Sequence, residues 1–409
     1  MIPEKMSSII FKTSPARWAA CKALGWCRPG VYVSRLGGLR IREMPVPPLP
    51  SEDWLLCQTL LGGICGTDMN MVYMQQHPGS MLKQFISWPI FLGHENVARI
   101  VQTGQRVLID PPISCAARKI DPLCPPCQEG KSSICWNFDR GSVPAGLGLG
   151  YNNFTGGSWS PYFVAHRNQV HVLPDEIPDE QAILIDPVSC SLHAVLRDIP
   201  ATGEKILVFG TGIIGLGVTL ALRALNLAVD ITATVRNQHQ ADLAKRCGAD
   251  RVVFWKKSGL GDAREELAEI TNARSIRLPF RMRFLQGGFD RLYDCTGKID
   301  GLVEAQRLLR SGGRIIIAGT PQLGLIDLTC LWFRELTLIG ATGRTVEKLP
   351  GQNIPQHNYR HVMDLIQQGK LDLSPLPVAL YRQQDYRRAL GDMRKRNRNG
   401  GVKSAFDFR

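Results

Sequence analysis

Lys205-Ile206-Leu207-Val208-Phe209-Gly210-Thr211-Gly212-Ile213-Ile214-Gly215 is the stretch that decides the fold. Its first five residues read as a short buried strand. The G-x-G-x-x-G that follows opens into an apolar run, residues 216–227, rich in the Ala and Leu that a helix prefers. A bare G-x-G-x-x-G says little, but between a strand and a helix it marks a dinucleotide-binding turn. Glycines let the backbone turn tightly and approach a pyrophosphate, and the helix N-terminus offers its unpaired N–H groups to the anion. Gly210, Thr211, Gly212, Ile213, Ile214 and Gly215 are therefore the candidate cofactor-binding residues. The plain alternative is a glycine-rich turn with no ligand.

Downstream the same rhythm continues. Residues 229–235 read as a second strand, 241–247 as a helix stopped by Gly248, and 251–254, 291–294 and 314–318 as further strands. Alternating strands and helices predict an α/β domain, a doubly wound parallel sheet with helices on both faces. About twenty residues past Gly215, where an acid would bind the ribose 2′-OH of NAD, the chain reads Thr234-Val235-Arg236-Asn237. No carboxylate repels a 2′-phosphate there, and the Arg236 guanidinium is available to pair with it. That favours NADP over NAD, against the ordinary reading of a surface arginine at a strand end.

Upstream the texture differs. The chain to about residue 190 is rich in Gly and Pro with short apolar runs at 54–61, 96–101 and 106–109, the pattern of an antiparallel, β-rich domain. Beyond residue 345 the pattern is mixed again, with helix candidates at 361–368 and 385–394. The expected layout is a first domain over 1–190, the dinucleotide domain over 191–345, and a return to the first domain over 346–409. A chain of 409 residues is also too long for one ordinary core.

Composition excludes several classes. Hydrophobic residues make up 44%, as in a soluble globular protein, and no apolar run is long enough to span a bilayer. The first residues lack the apolar core of a signal peptide. Lys5, Lys12, Arg17, Lys22 and Arg28 against Glu4 are compatible with a transit peptide, but the segment reads better as a first strand and turn. The net charge of +13 is spread along the chain apart from two clusters, Arg274, Arg277, Arg281, Arg283 and Arg394, Lys395, Arg396, Arg398. No nucleic-acid-binding motif accompanies either cluster, so they read as solvated faces, and neither nucleic acid nor membrane is an expected partner. A cytoplasmic location is expected.

Twelve cysteines without a secretory signal point to metal ligands, catalytic groups or core residues before disulfides. Cys115, Cys124, Cys127 and Cys135 fall within 21 residues, with Pro125, Pro126 and Gly130 supplying tight turns. Four thiolates suit a tetrahedral structural zinc, and four free thiols in one polar loop would invite oxidation. Asp121 is an alternative to Cys115 as the fourth donor. A second constellation is dispersed: Cys65 in Gly63-Ile64-Cys65-Gly66-Thr67-Asp68, His94 and Glu95 after Gly93, and Asp186 before Pro187. Cys, His and carboxylates form mixed zinc sites that keep a position for water or substrate. Taken singly, Cys65 is a core thiol, His94 a buried histidine and Asp186 a helix N-cap.

These motifs, in this order, resemble the zinc-dependent medium-chain dehydrogenases, the superfamily of alcohol, sorbitol, threonine and glucose dehydrogenases. The resemblance covers nearly the whole chain; Asp294-Cys295-Thr296-Gly297 and the run 312–319 look like the later Rossmann strands. It implies a GroES-like catalytic domain beside the Rossmann domain. It further implies that Cys65 and His94 bind a catalytic zinc, with Glu95 on the metal or close to it and Asp186 where related branches carry Glu. Cys190 is an alternative ligand, and Thr67 matches the hydroxyl that bonds the substrate oxygen and begins the proton relay. Three departures stand out. Asn70 occupies the position of a common relay histidine. The spacing from Cys115 to Cys124 is longer than the family's usual x-x, through a segment containing Arg118, Lys119 and Asp121. Residues 272–286 are longer and more basic than usual.

The chemistry implied is reversible hydride exchange between a nicotinamide cofactor and an alcohol or its carbonyl, with zinc as Lewis acid. The acidic metal environment points by analogy to polyols, sugars or amino alcohols, and the net charge to an anionic substrate. A homodimer or homotetramer is expected. Two other readings compete. One is a zinc-free enone or quinone reductase on the same fold, against which the cysteine loop and the Cys/His pair speak. The other is a non-catalytic zinc-stabilised binding protein, which loss of metal ligands would signal.

Overall fold

A computed structural model describes residues 2–255, 260–277, 282–399 and 401–409. The chain divides into two units, Met1–Asp186 with Pro377–Arg409, and Pro187–Leu376.

The second unit is built on a six-stranded sheet. In space its strands run Arg251–Phe254, Asp230–Val235, Lys205–Phe209, Phe289–Asp294, Leu309–Ile317, Thr337–Gly340, which is the order 3-2-1-4-5-6. Every pairing is parallel. Strands covered on both faces are apolar along their length, and Leu207, Phe209, Val253, Leu292 and Ile315 form the core with Ala263, Leu267 and Leu302 from the helices. The order reverses between Lys205–Phe209 and Phe289–Asp294, where open α/β sheets bind ligands beyond the carboxyl ends of their strands. The basic segment forms an antiparallel pair, Arg274–Arg277 with Arg283–Gln286, and Arg283 meets Glu265 at 2.6 Å. Arg281 lies outside the described residues, as do the side chains of Arg396 and Arg398.

The first unit holds a seven-stranded sheet around the long strand Trp54–Ile64. This strand pairs antiparallel with Asn96–Ile100, with Tyr162–His166 and with Lys403–Asp407. A three-stranded sheet, Leu39–Pro45, Lys5–Phe11 and Ile90–Phe91, packs with it through Ile9, Phe11, Leu39, Ile64, Trp159 and Phe406.

Three expectations change. The return to the first unit comes at Pro377, not at 346. Residues 346–376 stay with the second unit because Glu347 accepts from Asn358 Nδ2 at 3.0 Å and meets His193 Nδ1 at 3.0 Å, while its carbonyl meets the His361 ring at 2.9 Å. The first boundary falls inside the helix Asp179–Leu196, at Pro187. Pro187 lacks the N–H that would extend the helical ladder, yet the helix runs on through it to Leu196. Asp186 is thus a mid-helix residue and not an N-cap. Last, the strand Lys5–Phe11 leads into a helix, Pro15–Gly25, and not a turn. Ser14 caps it by accepting from the Arg17 N–H, Pro15 stands in its first turn, and the Trp18 indole donates to Met74 O at 3.1 Å. Among the described residues no helix is long and apolar enough to cross a membrane.

Candidate functional site

The strands Trp54–Ile64 and Asn96–Ile100 are neighbours in register, with Gly62 opposite Asn96 and the Gly63 N–H bonded to Glu95 O at 2.9 Å. This places Cys65, just past one strand, beside His94 and Glu95, just before the other. One donor atom from each of the three lies within 4.8 Å of those of the other two. Gly63 is required for this approach, since a Cβ there would stand 2.7 Å from Glu95 Oε2. Asp186, expected as a further ligand, stands outside this set: it is buried in its helix, and its charge acts on Lys403.

Around the three donors sits a layer that sequence reasoning missed. Asp68 Oδ2 accepts from the Cys65 N–H at 2.9 Å, which fixes the start of the helix Gly66–Val72, and its Oδ1 lies 3.3 Å from His94 Nδ1. Lys403, on the strand Lys403–Asp407, bonds Glu95 Oε2, and both side chains are 1% exposed. Burial works against a charged Lys403, but Glu95, Cys65 and Asp186 outweigh it and hold its pKa above the ordinary value. His94 follows the same logic: burial lowers its pKa, while Asp68 and Cys65 carry it well above the imidazole range. The local field therefore favours a cation, and Cys, His and carboxylate donors at this spacing fit zinc. Thr67 Oγ1 lies 3.6 Å from Cys65 Sγ. Tyr151 packs its ring 5.0 Å from that of His94 and turns its hydroxyl to Thr67. Burial, then Asp68, Cys65 and Glu95, push the Tyr151 phenol well up, so it stays neutral. Cys65, Thr67 and Asn70 are half-buried.

The second cluster is a cage of thiols. Cys115, Cys124, Cys127 and Cys135 all lie within 4.8 Å of one another, and Asp121 is not among them. The Sγ atoms of Cys115 and Cys135 are 3.6 Å apart, and those of Cys124 and Cys135 are 3.9 Å apart. A tetrahedron with zinc–sulfur arms of about 2.3 Å has edges of about 3.8 Å, so the cage fits zinc. Disulfides need about 2.05 Å, and these cysteines are free. Asn137 donates to Cys115 Sγ at 3.2 Å from its side chain and to Cys135 Sγ at 3.3 Å from its backbone. Burial alone would raise the Cys115 thiol, but donors from Cys124 and Asn137 outweigh it and bring it to about 7.

The glycine turn closes the first strand of the parallel sheet. A Cβ on Gly215 would stand 2.0 Å from Gly210 O, so this glycine permits strand and helix to meet; a Cβ on Gly212 would meet nothing. The helix Ile213–Ala224 has Gly212 as its cap, which has no side chain to bond its first N–H groups. That open, donor-lined space fits a pyrophosphate. Thr211 Oγ1 donates to Thr234 O, tying the turn to the end of the second strand. A Cβ on Gly210 would lie 2.9 Å from Thr296, which puts the turn at the reversal of strand order. Arg236 is exposed, and among the described residues its side chain makes no ion pair.

Comparison with known proteins matches this arrangement. The zinc-binding dehydrogenase family matches residues 214–368, and the alcohol dehydrogenase GroES-like domain matches residues 51–175. An L-threonine 3-dehydrogenase of Saccharopolyspora erythraea is 26% identical over 350 residues, 85% of this chain and 90% of the relative. A sorbitol dehydrogenase of Bacillus subtilis is 27% identical over 299 residues, 71% of this chain and 74% of the relative. Among solved structures, acetophenone reductase from Geotrichum candidum in complex with NAD shares the fold, with a TM-score of 0.71 at 17% identity, over 100% of this chain and 98% of that one.

Proposed function

The chain belongs to the zinc-dependent medium-chain dehydrogenase superfamily, and from that premise we propose that Cys65, His94, Glu95 and Thr67 form its reaction centre. It is an oxidoreductase of the alcohol and polyol type that works with a nicotinamide cofactor. The observation that carries the reading is the convergence of a thiol, an imidazole and a carboxylate at the ends of two adjacent strands, with the Thr67 hydroxyl beside them.

Zinc held by Cys65, His94 and Glu95 supplies Lewis acidity toward a substrate oxygen, and the nicotinamide supplies the hydride chemistry. The residues of this chain do the rest. Asp68 lies against His94, and Lys403 pairs with Glu95 in a buried position. Thr67 Oγ1 takes the proton of a substrate hydroxyl. The next oxygen is the Tyr151 hydroxyl, which as a neutral phenol both accepts and donates. This gives the proton a first step that does not need an ionisable group at Asn70. Gly210–Gly215 hold the pyrophosphate, and Cys115, Cys124, Cys127 and Cys135 hold a structural zinc.

Arg236, exposed and without an ion pair among the described residues, supports NADP as the preferred nucleotide. The carboxylates of the centre and the names of the relatives support a polyol, sugar or amino alcohol as substrate. None of the twelve cysteines is in a disulfide, which supports a reducing, cytoplasmic location. A homodimer or homotetramer is supported by the outermost strand Thr337–Gly340, which among the described residues pairs on one side only, and by Trp332 and Phe333, shortly before it in sequence, at 79% and 76% exposed.

Elemental analysis, followed by a panel of polyols, sugars and 3-hydroxy amino acids with both nucleotides, tests this. Two zinc ions per chain and turnover with NADP are expected; zinc-free protein with full turnover would sink the reading. In Arg236→Ala, kcat/KM for NADP should fall about 10- to 100-fold with little change for NAD. Equal use of both nucleotides by the unaltered protein removes the NADP claim alone.

A further inference from the structure

The upstream donor of the thiol cage needs an explanation of its own. Eight residues separate Cys115 from Cys124, while two separate Cys124 from Cys127. Cys115 stands at the start of the turn Ala116–Arg118, apart from the turn Pro125–Gln128 that carries Cys124 and Cys127 and from the turn Ser132–Ile134 that ends at Cys135, and something must bring it to them. The side chain in a position to do so is Arg118, three residues on.

Arg118 is 0% exposed. Its Nε donates to Ile113 O at 3.1 Å, ahead of Cys115. Its Nη1 donates to Arg140 O at 3.1 Å, Val143 O at 3.2 Å and Pro144 O at 3.0 Å, and its Nη2 to Gly146 O at 2.6 Å. One guanidinium thus ties residue 113, on the near side of Cys115, to four carbonyls of the loop that follows Cys135. The backbone repeats the tie, since Ser142 N–H donates to Arg118 O at 2.9 Å and Ile120 N–H donates to Cys115 O at 3.0 Å. Gly141 makes room for this contact: a Cβ there would stand 2.4 Å from Arg118 O. Among the described residues no carboxylate is within ion-pair distance of Arg118; Cys135, Asp139 and Cys115 are the negative groups whose charge it feels. A buried arginine spent on five carbonyls is costly unless it shapes something.

We propose that Arg118 is the positioning residue of the cage: its fork clamps the 113–118 turn against the 140–146 loop, so that Cys115 reaches Cys124, Cys127 and Cys135 as the fourth thiolate. The proposal rests on the reading of the cage as a zinc site. Removing the fork frees the Cys115 turn and leaves a three-thiolate site, while lysine keeps a charge and some of the donors.

Cadmium NMR of the metal-loaded full chain, together with zinc release to a chelator, tests it, because the cadmium resonance moves with each thiolate lost. In Arg118→Met the cage resonance should move to the position given by Cys115→Ser, and zinc release should quicken about 10- to 100-fold. In the double variant Arg118→Met/Cys115→Ser the resonance should move no further. Arg118→Lys should keep the four-thiolate resonance and release zinc about tenfold faster. An Arg118→Met protein with an unmoved resonance and an unchanged release rate overturns the proposal while leaving the zinc cage intact. If that variant does not fold, release from Arg118→Lys at the original rate overturns it equally. An unaltered chain without a four-thiolate resonance removes the zinc cage, and the proposal with it.

Discussion

The two donor clusters of the first unit are built on opposite plans. The thiol cage draws its four donors from 21 consecutive residues and uses one kind of atom, with the N–H groups of Asn137 bonded to the sulfurs. The Cys65–His94–Glu95 cluster draws on two strand ends, mixes three kinds of donor, and depends on charges from elsewhere, Asp68 on His94 and Lys403 on Glu95. A local set of four soft donors saturates a metal and makes a staple. A dispersed, mixed set with Cys65 and Thr67 half-buried leaves a coordination position for chemistry. The difference is between a site that holds the fold and a site that the fold must hold.

The sharpest way to break this comparison is to remove one donor from each. His94→Ala and Cys124→Ser should each lower the zinc content from about two to about one per chain. Turnover should separate them. His94→Ala should lose about 1,000-fold in kcat, several kcal/mol of Lewis-acid stabilisation, with its unfolding transition nearly in place. Cys124→Ser should keep kcat within about tenfold while the 113–146 region becomes open to proteolysis. Equal loss of turnover in both variants would mean that the two sites do not divide their work.

A smaller effect sharpens the dispersed side. Lys403→Met strands a buried carboxylate and should cost about 3–5 kcal/mol in urea unfolding. Adding Glu95→Gln to Lys403→Met should recover most of that loss, whereas a purely steric role for Lys403 predicts no recovery. The smallest effect concerns Tyr151→Phe. It should reduce kcat/KM by about tenfold or less, the contribution of one hydrogen bond, and leave stability within about 1 kcal/mol. An unchanged kcat/KM would take Tyr151 out of the proton path.

What was legible in the sequence follows from the same contrast. Short-range patterns translate directly: the Lys205–Phe209 strand, the glycine turn and the cysteine spacing are all local, and the structure assembles them as local units. The donors Cys65, His94 and Glu95 were legible as a dispersed constellation, each with an ordinary reading of its own, and their roles came from the resemblance. Lys403 was not legible at all, since its role exists only once two strands far apart in sequence pair. Asp68 was in plain view within the motif, but nothing in the sequence signals that one of its oxygens accepts from the Cys65 N–H while the other lies against the His94 ring. The helix Pro15–Gly25 was readable from Ser14-Pro15, a cap followed by a first-turn proline, and was passed over for a turn. Pro187 misled in the other direction, because a proline that usually opens a helix here sits inside one.

The pairing of Glu95 with Lys403 also sets a timetable. The two residues are 308 positions apart, and a chain growing at about 5–20 residues per second makes the lysine roughly 15–60 seconds after the glutamate. Until then Glu95 lacks its lysine partner at the place where metal is to bind. The cysteine cage, complete within 21 residues, faces no such delay. On the ribosome the staple therefore closes early, and the reaction centre gains its lysine much later.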